Sequence, residues 1–87
     1  MKEVTFEEFL KMFDERVHGA IRRAIDIHDA EGFIVFENQA MDSSHLGERT
    51  AVVFGPTCTY KSPEEAEGRW LNDLPSQRQY PVAWTKV

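Results

Sequence analysis

Asp42-Ser43-Ser44-His45 places a carboxylate, two hydroxyls and an imidazole in one short run of the chain. Hydroxyl catalysis needs a base within hydrogen-bond reach of the nucleophile and preorganised donors for the developing oxyanion. Here the groups are only neighbours in sequence, and no Gly-x-Ser-x-Gly elbow exposes a serine at a strand-to-helix turn. Asp and Ser in such settings ordinarily bond their own backbone in turns. The run therefore predicts loop chemistry, and no catalytic residue is assigned.

His18, His28, His45 and Cys58 are numerous enough for a zinc site. Their spacings match neither Cys-x-x-Cys nor His-x-x-x-His, and a helix would project His18 and His28 from different faces. No metal is expected. With no Gly-rich phosphate loop, no nucleotide or other cofactor is expected either. The single cysteine excludes an internal disulfide.

The chain has fifteen acidic and ten basic residues, a formal charge of −5, which argues against a protein that tracks phosphates with a basic face. Arg16 and Arg23 share one helix margin, while Arg22–Asp26 and Glu7–Lys11 read as solvated i,i+4 pairs. A nucleic-acid-binding domain using Arg16, Arg22, Arg23, Arg49, Lys61, Arg69 and Arg78 is the alternative reading. The acids Glu64, Glu65, Glu67, Asp26, Asp29 and Glu31 serve either as caps and solubilising charge or as a surface for a basic partner.

The elements that hold these residues follow from periodicity. Phe6 to His28 predicts one long amphipathic helix. Phe6, Phe9, Leu10, Phe13, Val17, Ala20, Ile21, Ala24 and Ile27 fall within about 120° of arc at about 100° per residue. Thr5 and Glu8 form a capping box at its start, and Gly32 is its stop. Gly19 is a mid-helix weakness. His28 sits on the apolar arc near the C-terminus, read as a partly buried structural histidine.

Phe33–Phe36 and Thr50–Phe54 read as strands apolar on both faces, joined by a long polar connection, 38–49. Thr57–Lys61 either continues the second strand or forms a short third one. Ser62-Pro63-Glu64-Glu65 starts a second helix running to about Asn72, burying Ala66, Trp70 and Leu74. Tyr80, Val82 and Trp84 alternate as the inward face of a terminal strand, where Pro81 suggests an edge.

The expected fold is a single α+β domain, residues 1–87. It has a long N-terminal helix and a second short helix packed on a three- to four-stranded antiparallel sheet, in the order α-β-β-(β)-α-β. No segment is long and apolar enough to span a membrane, and the N-terminus lacks a signal-peptide core, so a cytoplasmic location is expected.

With both helices on one side, the doubly apolar strands would leave a second greasy face built from Phe33/Val35 or Ile34/Phe36, which monomers seldom keep wet; the alternative is that the terminal strand, the long loop or the second helix covers it. The partner-binding residues expected on that basis are Ile34 and Phe36 on the sheet, then Met41, Asp42, Ser44, His45, Glu48 and Arg49 on the connection. Glu64 and Glu65 supply charge. The expected partner is a host protein with a basic, nucleic-acid-handling surface, with homodimerisation as a competing use of the same surface. A small enzyme or ligand carrier with Asp42, Ser44 and His45 at a pocket mouth is a further alternative.

Thr59-Tyr60-Lys61-Ser62-Pro63-Glu64-Glu65-Ala66-Glu67-Gly68-Arg69-Trp70 resembles the strand-to-helix step of arm-type DNA-binding domains in phage integrases. In size, acidity and lack of a catalytic motif, the whole chain is similar to small accessory proteins of bacteriophages, including anti-CRISPR and other anti-defence inhibitors. That likeness of type implies a non-enzymatic inhibitor that occludes a site on its target, and it transfers no residues.

Overall fold

A computed structural model describes residues 1–38, 48–73 and 79–87. In chain order its elements are β1 (Lys2–Glu3), α1 (Phe6–Lys11), a 3-10 turn (Glu15–Val17) and α2 (His18–His28). Then follow β2 (Gly32–Asn38), β3 (Arg49–Phe54), α3 (Pro63–Asp73) and β4 (Gln79–Lys86). The domain is α+β, as expected, with three α-helices on a mixed four-stranded sheet in the order β1-β4-β2-β3.

The capping box at Thr5 is present in both directions. Glu8 N–H donates to Thr5 Oγ1 at 3.1 Å and Thr5 N–H to a Glu8 carboxylate oxygen at 3.2 Å. The single long helix is not. α1 ends after six residues. Met12 and Phe13 N–H groups close i→i−3 bonds to Phe9 and Leu10, tightening the last turn. Asp14 then caps a new start, its carboxylate accepting from Arg16 N–H at 2.9 Å and from the Arg16 guanidinium at 3.0 and 3.2 Å. An aspartate that can bond the amide two residues on competes with helix continuation. The break also moves Gly19 into the first turn of α2 rather than a helix middle.

Nor does Gly32 stop the helix. Asp29 does, in the left-handed conformation (φ 49°, ψ 49°), which aspartate tolerates better than most residues. Gly32 opens β2, where a Cβ would lie 2.1 Å from Thr85 O and 2.5 Å from the Phe54 ring. Only a residue without a side chain fits.

β2 pairs antiparallel with β3 and with β4. β4 is therefore internal, not an edge, and β1 adds a parallel rung at Ala83 and Trp84. Pro81 is accommodated because β1 does not reach it and because the β2–β4 register slips there, Val35 facing Ala83 and Phe36 facing Pro81. The bulge leaves Val82 extra. It puts Val82 on the α1/α2 side and Trp84 on the α3 side, so the expected single inward face of Tyr80, Val82 and Trp84 is split. Thr57–Lys61 forms turns and bends rather than a strand.

The doubly apolar strands have a core on each side. Phe33 and Val35 pack with Phe9, Leu10 and Ile21, the Phe9 and Phe33 rings stacking at 4.9 Å. Ile34 and Phe36 pack with Val52, Phe54, Tyr60 and Ala66, where Phe54 meets Trp84 edge-on at 6.3 Å. The two helical layers thus lie on opposite faces of the sheet, and the expected uncovered face is sealed by α3 and residues 55–62. The Trp70 side chain and Leu74 lie outside the described residues.

Candidate functional site

α2 and β3 meet at one edge of the sheet, where β3 is the last strand among the described residues. Residues 50–54 of β3 contain neither charge nor proline, the usual guards of an exposed edge. Above them, α2 turns a stripe outward. Val17 (just before the helix), Ala20, Ala24 and Ile27 span an arc of about 80° at about 100° per residue. Val17 is 41% and Ile27 74% exposed. Between Val17, Ala20 and Ala24 of that stripe and the strand runs an open groove of about 500 Å³, floored by Phe33 and walled by Ala51 and Val53. The rotation introduced by the break at Asp14 produces this stripe. Ile21 and Ile25 turn to the core and Ala24 stands half-buried at its margin, while Ile27, expected inside, faces solvent.

Polar contacts fix the frame. His18 is half-buried, and its Nε2 lies 2.6 Å from Leu10 O and 3.0 Å from Phe13 O. A protonated Nε2 donates to both, satisfying carbonyls at the end of α1. His28 is exposed and lines the groove, and its carbonyl accepts from Thr57 Oγ1 at 2.8 Å and from Cys58 Sγ at 3.4 Å. Burial pushes the Cys58 thiol up, with Lys61 opposing and Asp29 and Glu31 reinforcing the shift; such a thiol is poorly nucleophilic. At the other end of the sheet, Tyr80 OH donates to Glu37, which also accepts from Arg49 Nε at 3.1 Å. Arg49 in turn reaches Met12 O at 3.0 Å, tying α1 to three strands. The tyrosine hydroxyl first, then Arg49, holds the Glu37 carboxyl below its usual range; the same bond raises Tyr80.

Those of the expected partner-binding residues that are described do not form one surface. Ile34 and Phe36 have no solvent exposure. Glu48 and Arg49 stand at the start of β3, Arg49 engaged with Glu37. Glu64 and Glu65 open α3 on the opposite layer. There Glu65 N–H donates to Ser62 Oγ at 3.1 Å, and its carboxylate takes Lys61 N–H at 3.1 Å and Arg69 at 2.8 Å. Met41, Asp42, Ser43, Ser44 and His45 lie outside the described residues.

Arg22–Asp26 and Glu7–Lys11 form no ion pair; Glu65–Arg69 is the i,i+4 pair seen among the described residues. Among those residues, no three His, Cys, Asp or Glu side chains gather where a metal ion could sit, and no helix is long and apolar enough to cross a membrane. No family model, curated protein or solved structure matches the chain.

Proposed function

We propose that this chain is a non-enzymatic protein-binding module, acting as an inhibitor of phage accessory type that occludes a site on a host nucleic-acid-handling protein. The observation that carries the reading is the apolar groove between α2 and the β3 edge, with Ile27 exposed on the same helix, on a domain whose described residues otherwise close both sheet faces. Monomers seldom keep such a surface at an unguarded edge. The groove offers burial and backbone pairing, and among the described residues His28 is the one polar side chain that lines it, which favours docking over turnover.

The net charge of −5 supplies long-range attraction to a basic partner. The nucleic-acid alternative is weakened by where the cations go. Arg16, Arg49 and Arg69 are held by Asp14, Glu37 and Glu65. Lys61 Nζ is held by the carbonyls of Pro56 and Cys58.

The test is titration of a candidate basic partner by calorimetry at two salt concentrations, with wild type, Ala20→Glu and an Asp/Glu→Ala series. Affinity should fall with salt, with loss of the acids and with the charge placed on the stripe. Binding indifferent to all three removes the reading. Retardation of DNA or RNA at low salt and micromolar protein would favour the alternative.

A further inference from the structure

We propose that β3 takes an extended segment of the partner as an added antiparallel strand, one in which a basic residue precedes two alternating apolar residues. This rests on the reading of the α2–β3 groove as a docking surface and names the form and residue pattern of what docks there.

The backbone of β3 sets the form. Opposed residues of an antiparallel pair alternate between those that exchange both hydrogen bonds and those that exchange none. Asn38 and Glu48, next along the register from Glu37 and Arg49, are a bonded pair, with Asn38 N–H donating to Glu48 O at 2.8 Å. Phe36–Thr50, Ile34–Val52 and Gly32–Phe54 therefore share that phase. Thr50, Val52 and Phe54 turn their backbone groups to β2. Ala51 and Val53 turn theirs to the other side, where no further strand lies among the described residues. The same two residues send their side chains to the α1/α2 layer and wall the groove. Backbone donors and acceptors thus line up beside an apolar trough, which an extended chain completes.

An antiparallel strand would bond Ala51 and Val53 through two of its own residues, one apart, whose side chains share the α2 side of the sheet. Both enter the groove over Phe33, against Val17 and Ala20, and both must be apolar. The residue between them faces the other layer and turns its backbone groups away from β3.

Charge sets the direction. α2 and β3 run alongside each other in the same sense. Arg49, at the start of β3, reaches Met12 O at 3.0 Å, and Thr57, beyond its end, bonds His28 O at 2.8 Å. At the Phe54 end, Asp26, Asp29 and Glu31 stand exposed beside the His28 ring, and the carbonyl end of α2 adds negative potential. Gly55 abuts this cluster: a Cβ there would lie 3.0 Å from Glu31 N and 3.3 Å from Asp29 O. Lys61 Nζ is turned to the carbonyls of Pro56 and Cys58. At the Arg49 end, by contrast, Lys11, Arg16 and Arg49 balance Asp14, Glu15 and Glu37. A cation on the incoming strand therefore belongs at the Phe54 end, where an antiparallel strand begins. Opposite Gly55 it meets no side chain and falls two residues before the first apolar one, giving the order basic-x-apolar-x-apolar.

The probe is a synthetic peptide, acetyl-Arg-Ser-Val-Thr-Val-Thr, labelled at its C-terminus and titrated with the full chain by fluorescence anisotropy. It should bind saturably below about 1 mM. Methylating the nitrogen of the first Val, which would donate to Val53 O, should weaken binding by about tenfold or more. Methylating the nitrogen of the Thr between the two Val, which faces away from β3, should change affinity by less than about twofold. The reversed sequence, which brings its arginine to the Arg49 end, should bind several-fold more weakly. Asp26→Asn with Asp29→Asn should do the same and flatten the salt dependence; asparagine tolerates the left-handed conformation of Asp29.

Amide hydrogen exchange reads the site on the unaltered chain. Ala51 and Val53 should exchange freely alone and slow by about tenfold or more when the peptide is added. Absence of saturable binding, equal loss from the two methylations, indifference to reversal, or binding that leaves both amides unprotected overturns the added strand. So does protection that grows with protein concentration without peptide, which would give the edge to a second copy. The docking reading is judged separately. A basic partner that loses affinity on Ala20→Glu, while Ala51 and Val53 still exchange freely in its complex, removes the strand and keeps the groove.

Discussion

Gly32 is the residue whose replacement has the most directly readable consequence. The space its Cβ would enter is held by a backbone carbonyl and an aromatic ring of the core, neither of which can swing away. Gly32→Ala should destabilise the domain by about 1–3 kcal/mol, the usual cost of overpacking, read as a lowered urea midpoint at unchanged slope. Gly68 has open space at the same atom, so Gly68→Ala in α3 should be stabilising by about 0.5–1 kcal/mol.

Glu37 gives a pH signature. Its carboxyl is held below the ordinary range by Tyr80 and Arg49, so the folded state favours its ionised form. The stability this supplies is present above the ordinary carboxylate pKa and is lost as pH falls through the lowered value. Glu8, Asp14 and Glu65 shift in the same direction. Acid titration of stability should therefore decline below about pH 4–5. Glu37→Gln should lower the plateau at pH 7 and flatten part of that decline. An acid limb identical to wild type would remove Glu37 from this role.

At the scale of elements, Thr5 and Asp14 divide the first thirty residues. Thr5→Ala removes the acceptor for Glu8 N–H and should cost about 0.5–2 kcal/mol by thermal or urea unfolding; a negligible effect would mean that α1 is held by Phe9 and Leu10 alone. The capping box was legible because it is local: Thr-x-x-Glu before an apolar run specifies its own geometry. Ser62-Pro63 was legible for the same reason, although Glu65 reaches one residue further back, to Lys61 N–H, than a capping box would.

The break after Lys11 was not legible. The apolar period runs unbroken through it, and only the competition of Asp14 for the following amide shows why the chain restarts. The docking stripe inherits that difficulty. Val17, Ala20, Ala24 and Ile27 read as buried positions of one long helix until the restart rotates α2 and turns that line towards the sheet edge. The two apolar strands were recognisable from Phe33–Phe36 and Thr50–Phe54. Their cover was not, because nothing local to Pro63–Asp73 says on which face of the sheet α3 will land.

At the scale of the molecule, one strand holds two cores together. β2 sends Phe33 and Val35 to one helical layer and Ile34 and Phe36 to the other, all four at or below 2% exposure. Neither layer can loosen without disturbing the strand that the other layer needs. Phe9 stands at the centre of the first layer, fully buried and in ring contact with Phe6, Phe13 and Phe33. Phe9→Ala should cost about 3–5 kcal/mol. At roughly 0.05–0.15 kcal/mol per residue, a chain of 87 residues has only about 4–13 kcal/mol in total. The variant should therefore lose a large share of that total, read as a sharply lowered urea midpoint. The loss should also be shared across the sheet: the near-ultraviolet signal of Trp84, which packs in the opposite core, should vanish in the same transition as the far-ultraviolet helix signal. Two separated transitions would mean that the layers unfold independently and that β2 does not couple them.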